Sequence, residues 1–117
     1  MEKLFDGEFR LMEVLWAAEP VNSTALVRLC EQKLGWNKST TYTVLRKLCQ
    51  KGLAQNEKAT VKTLVSRDAV IQAQGEELAE KFGGVTPFLT AFLSGRKLTM
   101  EEAQELKELI DRSMGEG

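Results

Sequence analysis

The sequence predicts a mostly α-helical chain with one short β-hairpin, divided into an N-terminal domain over residues 1–66 and a helical region over residues 67–117. Three observations predict it. Residues 7–52 hold three short amphipathic helical patterns separated by proline and glycine. Residues 53–66 switch to two β-branched or apolar stretches around the polar "EKAT". Residues 67–113 return to helical periodicity, with more apolar surface than so short a tail buries by itself.

The first helix is expected from Gly7 to Ala18, where Phe9, Leu11, Met12, Leu15 and Trp16 recur at spacings of three and four. Pro20 ends it. Asn22 has the side chain of an N-cap for a second helix, Ser23 to Leu34, closed by Gly35. Asn37 is the corresponding cap for a third, Lys38 to about Lys51, closed by Gly52. The hairpin that follows lacks the Asn-Gly or Gly signal of a tight turn. Helix, helix, helix, hairpin is the order of a winged helix-turn-helix. Ser66 can cap a fourth helix through Phe82, stopped by Gly83-Gly84. Thr86 and Pro87 then suit the N-cap and first position of a fifth helix, "FLTAFL", apolar on most sides and so expected to be buried. Thr99 and Glu102 form a T-x-x-E capping box opening a last helix, with Met100, Ala103, Leu106, Leu109 and Ile110 on one face.

Composition narrows the function. The chain has no histidine, which removes the commonest general base and metal ligand. It carries no G-x-S-x-G, no Walker-type loop and no CxxC, so neither an enzyme nor a metal or cofactor site is expected. No apolar run approaches the ~18 residues of a membrane span. The charged residues interrupting "MEKLFDGEFRLMEVLW" do not suit a signal peptide, so a cytoplasmic protein with reduced Cys30 and Cys49 is expected. Both cysteines lie on apolar stripes, where a thiol behaves as a small hydrophobe.

Charge is unevenly distributed. The net charge is −1, yet residues 36–67 hold seven basic groups against one acidic, a local +6. The flanking segments carry −2 and −5. A basic centre between acidic ends is the electrostatic footprint of a nucleic-acid site. The third helix sharpens that reading. Thr41, Val44, Leu45, Leu48 and Cys49 form its inward stripe, while Lys38, Ser39, Tyr42, Thr43, Arg46, Lys47 and Gln50 face outward. Hydroxyls at the N-terminal end meet base edges in a major groove, and cations further along hold phosphates or read guanine. Thr40 adds a hydroxyl at the same end, and Lys51, Lys58 and Lys62 extend the basic set toward the hairpin.

The chain resembles the penicillinase-repressor family of bacterial regulators (BlaI/MecI-like). The resemblance rests on "EFRLMEVLW" at 8–16, Pro20, "GW" at 35–36, "STTYTVLRKLCQKGL" at 39–53, "LVSRD" at 64–68, "FGG" at 82–84 and the C-terminal "LTMEEAQELKELID". It implies a dimeric winged-helix repressor that binds a palindromic double-stranded DNA operator and controls antibiotic-resistance or stress genes. It also implies base- and phosphate-contacting positions near Ser39, Thr40, Tyr42, Thr43 and Arg46, and dimerisation through the C-terminal helices. In the inducible branch a membrane sensor-protease cuts an Asn-Phe bond, and the matching position here is Ala91-Phe92. The hairpin is shorter than the family's wing and has no Gly, Arg or aromatic residue, which leaves Lys58 and Lys62 as its candidates for DNA contact. The clustered C-terminal cysteines of the copper-responsive branch have no counterpart after Cys49.

The apolar positions of the tail point the same way. Phe88, Leu89, Phe92 and Leu93 on the fifth helix, with Leu106, Leu109 and Ile110 on the last, are the expected homodimer contacts. Two other functions compete: a winged-helix protein-interaction module that never touches DNA, and a redox- or metal-responsive regulator. The concentrated positive charge favours DNA over the first, and the cysteine count with no histidine disfavours the second.

Overall fold

The structure, a computed structural model, describes residues 3–115. It runs α1 (Asp6–Ala18), β1 (Val21–Asn22), α2 (Ser23–Leu34), α3 (Lys38–Gln50), β2 (Ala54–Glu57), β3 (Thr60–Thr63), α4 (Arg67–Lys81), α5 (Val85–Ser94) and α6 (Met100–Gly115). The chain forms two compact units, the first ending at Glu77 and the second beginning at Leu78. The division therefore falls inside α4.

In the first unit the punctuation acts as its chemistry dictates. The Asn22 carboxamide accepts from the Thr24 N–H at 2.8 Å, and that of Asn37 accepts from the Thr40 N–H at 2.8 Å. Each satisfies one of the donors that a helix start leaves unpaired. Gly35 closes α2 with φ +69, a left-handed conformation that costs glycine nothing. Leu11, Met12, Leu15, Leu26, Cys30, Leu45, Leu48 and Val61 are fully or almost fully buried and form one core from α1, α2, α3 and β3. Trp16 is tied to the end of the hairpin by its indole N–H, which donates to the Val65 carbonyl at 2.9 Å.

The sheet has three strands in the order β1-β3-β2, all antiparallel. The hairpin was expected; the two-residue strand β1 was not. Val21 and Asn22 pair with Val61 and Thr60, a ladder too short to leave an alternation in the sequence. The hairpin turn is equally indirect. Glu57 pairs with Thr60, so Lys58 and Ala59 alone make the turn, at φ +52 and +63. Positive φ at both central residues is the signature of a type I′ turn, here built without the usual Asn or Gly.

In the second unit, the start of α5 corrects the expected cap. Gly84, not Thr86, is the N-cap, at φ 112 and ψ 176, a conformation that suits glycine. The helix therefore opens at Val85, with Pro87 in its first turn, where a missing N–H still loses no bond. The capping box of α6 is present in both halves: the Thr99 N–H donates to Glu102 Oε1 at 3.0 Å, and the Glu102 N–H to Thr99 Oγ1 at 3.0 Å. Hydrogen bonds from the Thr99 backbone N–H and the Thr99 side chain hold the Glu102 carboxyl below its ordinary pKa. The burial expected for "FLTAFL" is not found in the single chain: no residue of α5 or α6 is buried. Two helices alone offer each other one side, and the remaining apolar surface stays open.

Candidate nucleic-acid interface

α3 separates its two faces as its sequence pattern requires. Thr41, Leu45 and Leu48 are buried, and Val44 and Cys49 are half-buried against the core. Thr41 is satisfied there, since its hydroxyl donates to the Asn37 carbonyl at 3.0 Å. Lys38, Ser39, Thr40, Thr43, Arg46, Lys47 and Gln50 are exposed. Tyr42 differs from its expected outward placement: it is half-buried and packs on the core. The exposed face thus runs from hydroxyls at the helix start to a guanidinium and an ammonium further on.

Among the described residues no carboxylate makes a direct ion pair with that face, although Lys47 lies close enough to Glu8 to feel its charge. The first turn of α3 contains Lys38 and no acidic residue. A cation there opposes the helix macrodipole, at a cost of roughly a few tenths of a kcal/mol. Among the described residues, the ion pairs are Lys51 with Glu8 and Arg67 with Glu13, so Lys38, Arg46 and Lys47 have no carboxylate partner. A helix start with free N–H groups and a lysine is suited to a phosphate.

Lys58 and Lys62 are exposed on the hairpin. Lys58 occupies the turn, and Lys62 points away from the face on which its neighbour Val61 is buried. Lys51 stands apart from the rest of the expected set. Its ammonium donates to Glu8 Oε1 at 2.7 Å and to the Lys3 carbonyl at 2.7 Å, and sits 4.8 Å from the centre of the Phe5 ring. It is turned into the protein, not toward solvent.

Glu8 is the residue that the sequence reading passed over. Its signal was present: it precedes Leu11, Met12 and Leu15 by three, four and seven positions, so it lies on the apolar face of α1. It is only 4% exposed. Burial pushes its carboxyl up, but the Lys51 hydrogen bond, the Phe5 N–H at 2.9 Å and the charges of Lys51 and Lys47 outweigh that and hold it below the ordinary carboxylate value. The two thiols go the other way. Burial pushes Cys30 and Cys49 above the usual thiol range, the opposite of an activated thiolate. Among the described residues no group of three or more His, Cys, Asp or Glu is placed to hold a metal ion.

The expected interface residues of the second unit line an open groove. Leu89, Phe92, Leu93, Leu106, Leu109 and Ile110 surround a space of about 590 Å³ between α5 and α6. Phe88 stacks between Phe82 and Phe92, with ring centroids 6.2 and 6.0 Å away. The Ala91-Phe92 bond lies inside helix α5. No helix of the described chain is long and apolar enough to cross a membrane.

Comparison with known proteins gives four likenesses. The penicillinase repressor family model matches residues 5–112. The penicillinase repressor of Bacillus licheniformis is 21% identical over 115 residues, covering 93% of this chain and 90% of that protein. An uncharacterized 16.5 kDa protein in the ptsI 3′ region of Latilactobacillus sakei is 28% identical over 112 residues, covering 89% of this chain and 75% of that one. Among solved structures, the solution structure of the DNA-binding domain of the repressor BlaI superposes with a TM-score of 0.51 at 22% identity. It covers 57% of this chain and 90% of that domain, and supports the winged-helix fold.

Proposed function

The chain belongs to the penicillinase repressor family, and from that premise we propose that it is a DNA-binding transcriptional repressor whose reading element is α3. One observation carries the proposal: the exposed face of α3 presents Ser39, Thr40 and Thr43 beside Lys38, Arg46 and Lys47, none of the cations paired with a carboxylate among the described residues. Hydroxyls and a guanidinium read base edges, and lysines hold phosphates. Lys58 and Lys62 extend the positive surface along the hairpin. Tyr42 contributes its exposed edge, while Lys51 serves the fold.

The finer reading is a homodimer on a palindromic operator. The open apolar groove of α5 and α6 supports a second copy, which places two recognition helices about one helical turn apart. Cytoplasmic location and control of β-lactam-resistance or stress genes are parts of the same reading. Release by a membrane sensor-protease at Ala91-Phe92 requires local opening of α5, because a helical bond is a poor protease substrate. Exposing the native host to a β-lactam and following the protein by immunoblot tests that step: a fragment ending near Ala91 supports it, and full-length repressor during gene induction defeats it.

DNA binding itself is tested by a gel shift on the duplex upstream of the chain's own gene, repeated across a salt series. A specific complex whose affinity falls steeply with salt is expected. Affinity unchanged between low and moderate salt overturns the assignment of the basic face.

A further inference from the structure

Resting on that reading of α3, we propose that Glu8 and Lys51 are positioning residues for the DNA-reading helix: a buried latch that fixes the C-terminal end of α3 against the start of α1, leaving Lys51 no share in phosphate contact.

The latch is built from both sides. Glu8 Oε1 accepts from the Phe5 N–H at 2.9 Å and from Lys51 Nζ at 2.7 Å. Lys51 Nζ also donates to the Lys3 carbonyl and lies over the Phe5 ring. The segment from Lys3 to Glu8 therefore encloses one ammonium, and that ammonium belongs to the residue capping α3. Lys51 also donates its backbone N–H to the Lys47 carbonyl at 3.0 Å. A shift of Lys51 is thus transmitted directly to the turn that carries Lys47. Further along the same helix stand Arg46 and Thr43.

The chemistry of the pair also argues against a role in stability alone. Glu8 Oε2 is buried with no hydrogen-bond partner. An orphaned carboxylate oxygen is costly, and apolar residues of similar volume often serve stability as well as a buried ion pair does. In some systems an ion pair with a fixed hydrogen-bond geometry contributes register instead. Here the register concerned is that of α3, which must enter a groove at a defined angle to bring its hydroxyls to base edges.

The latch and a phosphate contact predict different salt behaviour. A lysine that meets a phosphate releases about one counterion, so neutralising it lowers the slope of log K against log salt by about 1. A lysine that positions the helix changes specific affinity and leaves the slope alone. Lys51→Met, Lys51→Arg, Glu8→Gln, the double variant Glu8→Gln/Lys51→Met and the control Lys47→Ala are compared by fluorescence anisotropy, on the operator duplex and on a random duplex. Thermal unfolding selects a temperature at which every variant is folded. The expected results are a loss of about tenfold in specific affinity for Lys51→Met and for Glu8→Gln, little change on the random duplex, and the parental salt slope. The double variant should be no worse than the poorer single one, and Lys51→Arg should recover part of the loss. Lys47→Ala should lower the slope by about 1. A slope lowered by Lys51→Met as much as by Lys47→Ala, or parental specific affinity in both single variants, overturns the latch. If the parent chain binds neither duplex, the proposed function falls and the latch with it.

Discussion

Leu48 on α3 and Leu109 on α6 are the same residue at comparable points of two amphipathic helices, yet Leu48 is fully buried and Leu109 is 52% exposed. The contrast extends to the two compact units. In the first, three helices and a three-stranded sheet close over one core that includes Leu11, Leu15, Leu26 and Val61. In the second, α5 and α6 leave Leu89, Phe92, Leu106 and Ile110 substantially open. Both patterns obey the same periodicity. The first is answered within its own unit, and the second leaves an apolar groove between α5 and α6 open among the described residues.

The sharpest way to break that comparison is to make the open face polar. Phe92 is 49% exposed in the single chain, so Phe92→Asp should leave the monomer folded while placing an unpaired charge in the proposed dimer interface. Sedimentation should show the parent as a dimer and the variant as a monomer. Losing the tether between half-sites should weaken operator binding by roughly 10²–10⁴-fold. A parent that sediments as a monomer at micromolar concentration would remove the second copy from the account.

A second test separates the units by their response to the same truncation. Leu48→Ala removes fully buried apolar volume and should destabilise the first unit by about 2–5 kcal/mol in urea denaturation. Leu109→Ala should leave that transition unchanged and weaken self-association instead. Equal effects on the first unit's transition would show that the two leucines do not serve separate cores.

A third concerns the charge buried in the first unit. Glu8 is held below its ordinary pKa in the folded chain, so its contribution to stability is complete above the ordinary carboxylate range. It is lost as the pH falls through the lower folded value. Glu8→Gln should cost roughly 1.5–3 kcal/mol at neutral pH, the range of a hydrogen bond to a charged group. The gap between parent and variant should close on acidification. A gap that stays constant down to strongly acid pH would mean that Glu8 is not ionised in the folded state.

How much of this was legible in the sequence follows from range. Features set within a few residues were readable: both Asn caps, the closing glycines, the T-x-x-E box and the two faces of α3. Features set by partners far along the chain were not. The strand Val21–Asn22 exists because Val61 and Thr60 lie beside it, and two residues carry no period. Lys51 read as one more cation of a basic stretch, because its partners Lys3, Phe5 and Glu8 are more than forty positions away. Tyr42 read as outward from helical phase alone, although an aromatic ring is large enough to lean back onto the core. The N-cap of α5 was misread because Thr86-Pro87 is a good local signal, and the Gly83-Gly84 backbone offered an earlier start.

The smallest expected effect sharpens the comparison from inside the first unit. Lys58 and Ala59 both sit at positive φ, where a side chain costs about 1 kcal/mol relative to glycine. Ala59→Gly keeps the turn, the Lys58 ammonium and the bond from the Ser23 N–H to the residue-59 carbonyl. It relieves the strain and adds some unfolded-state entropy that offsets part of the gain. The net should be a stabilisation of up to about 1 kcal/mol, confined to the first unit's denaturation transition, with DNA affinity and dimerisation unchanged. Lys58→Asn should relieve similar strain, since asparagine tolerates the left-handed region. It also removes a cation, so it should lower the salt slope of DNA binding by about 1 if Lys58 meets a phosphate. The pair of variants thus separates the two roles of one turn. Stability gained in both with the slope lowered only in Lys58→Asn identifies a lysine kept in a strained position for its charge. Unchanged slopes in both assign the hairpin tip to the fold alone and leave DNA recognition to α3.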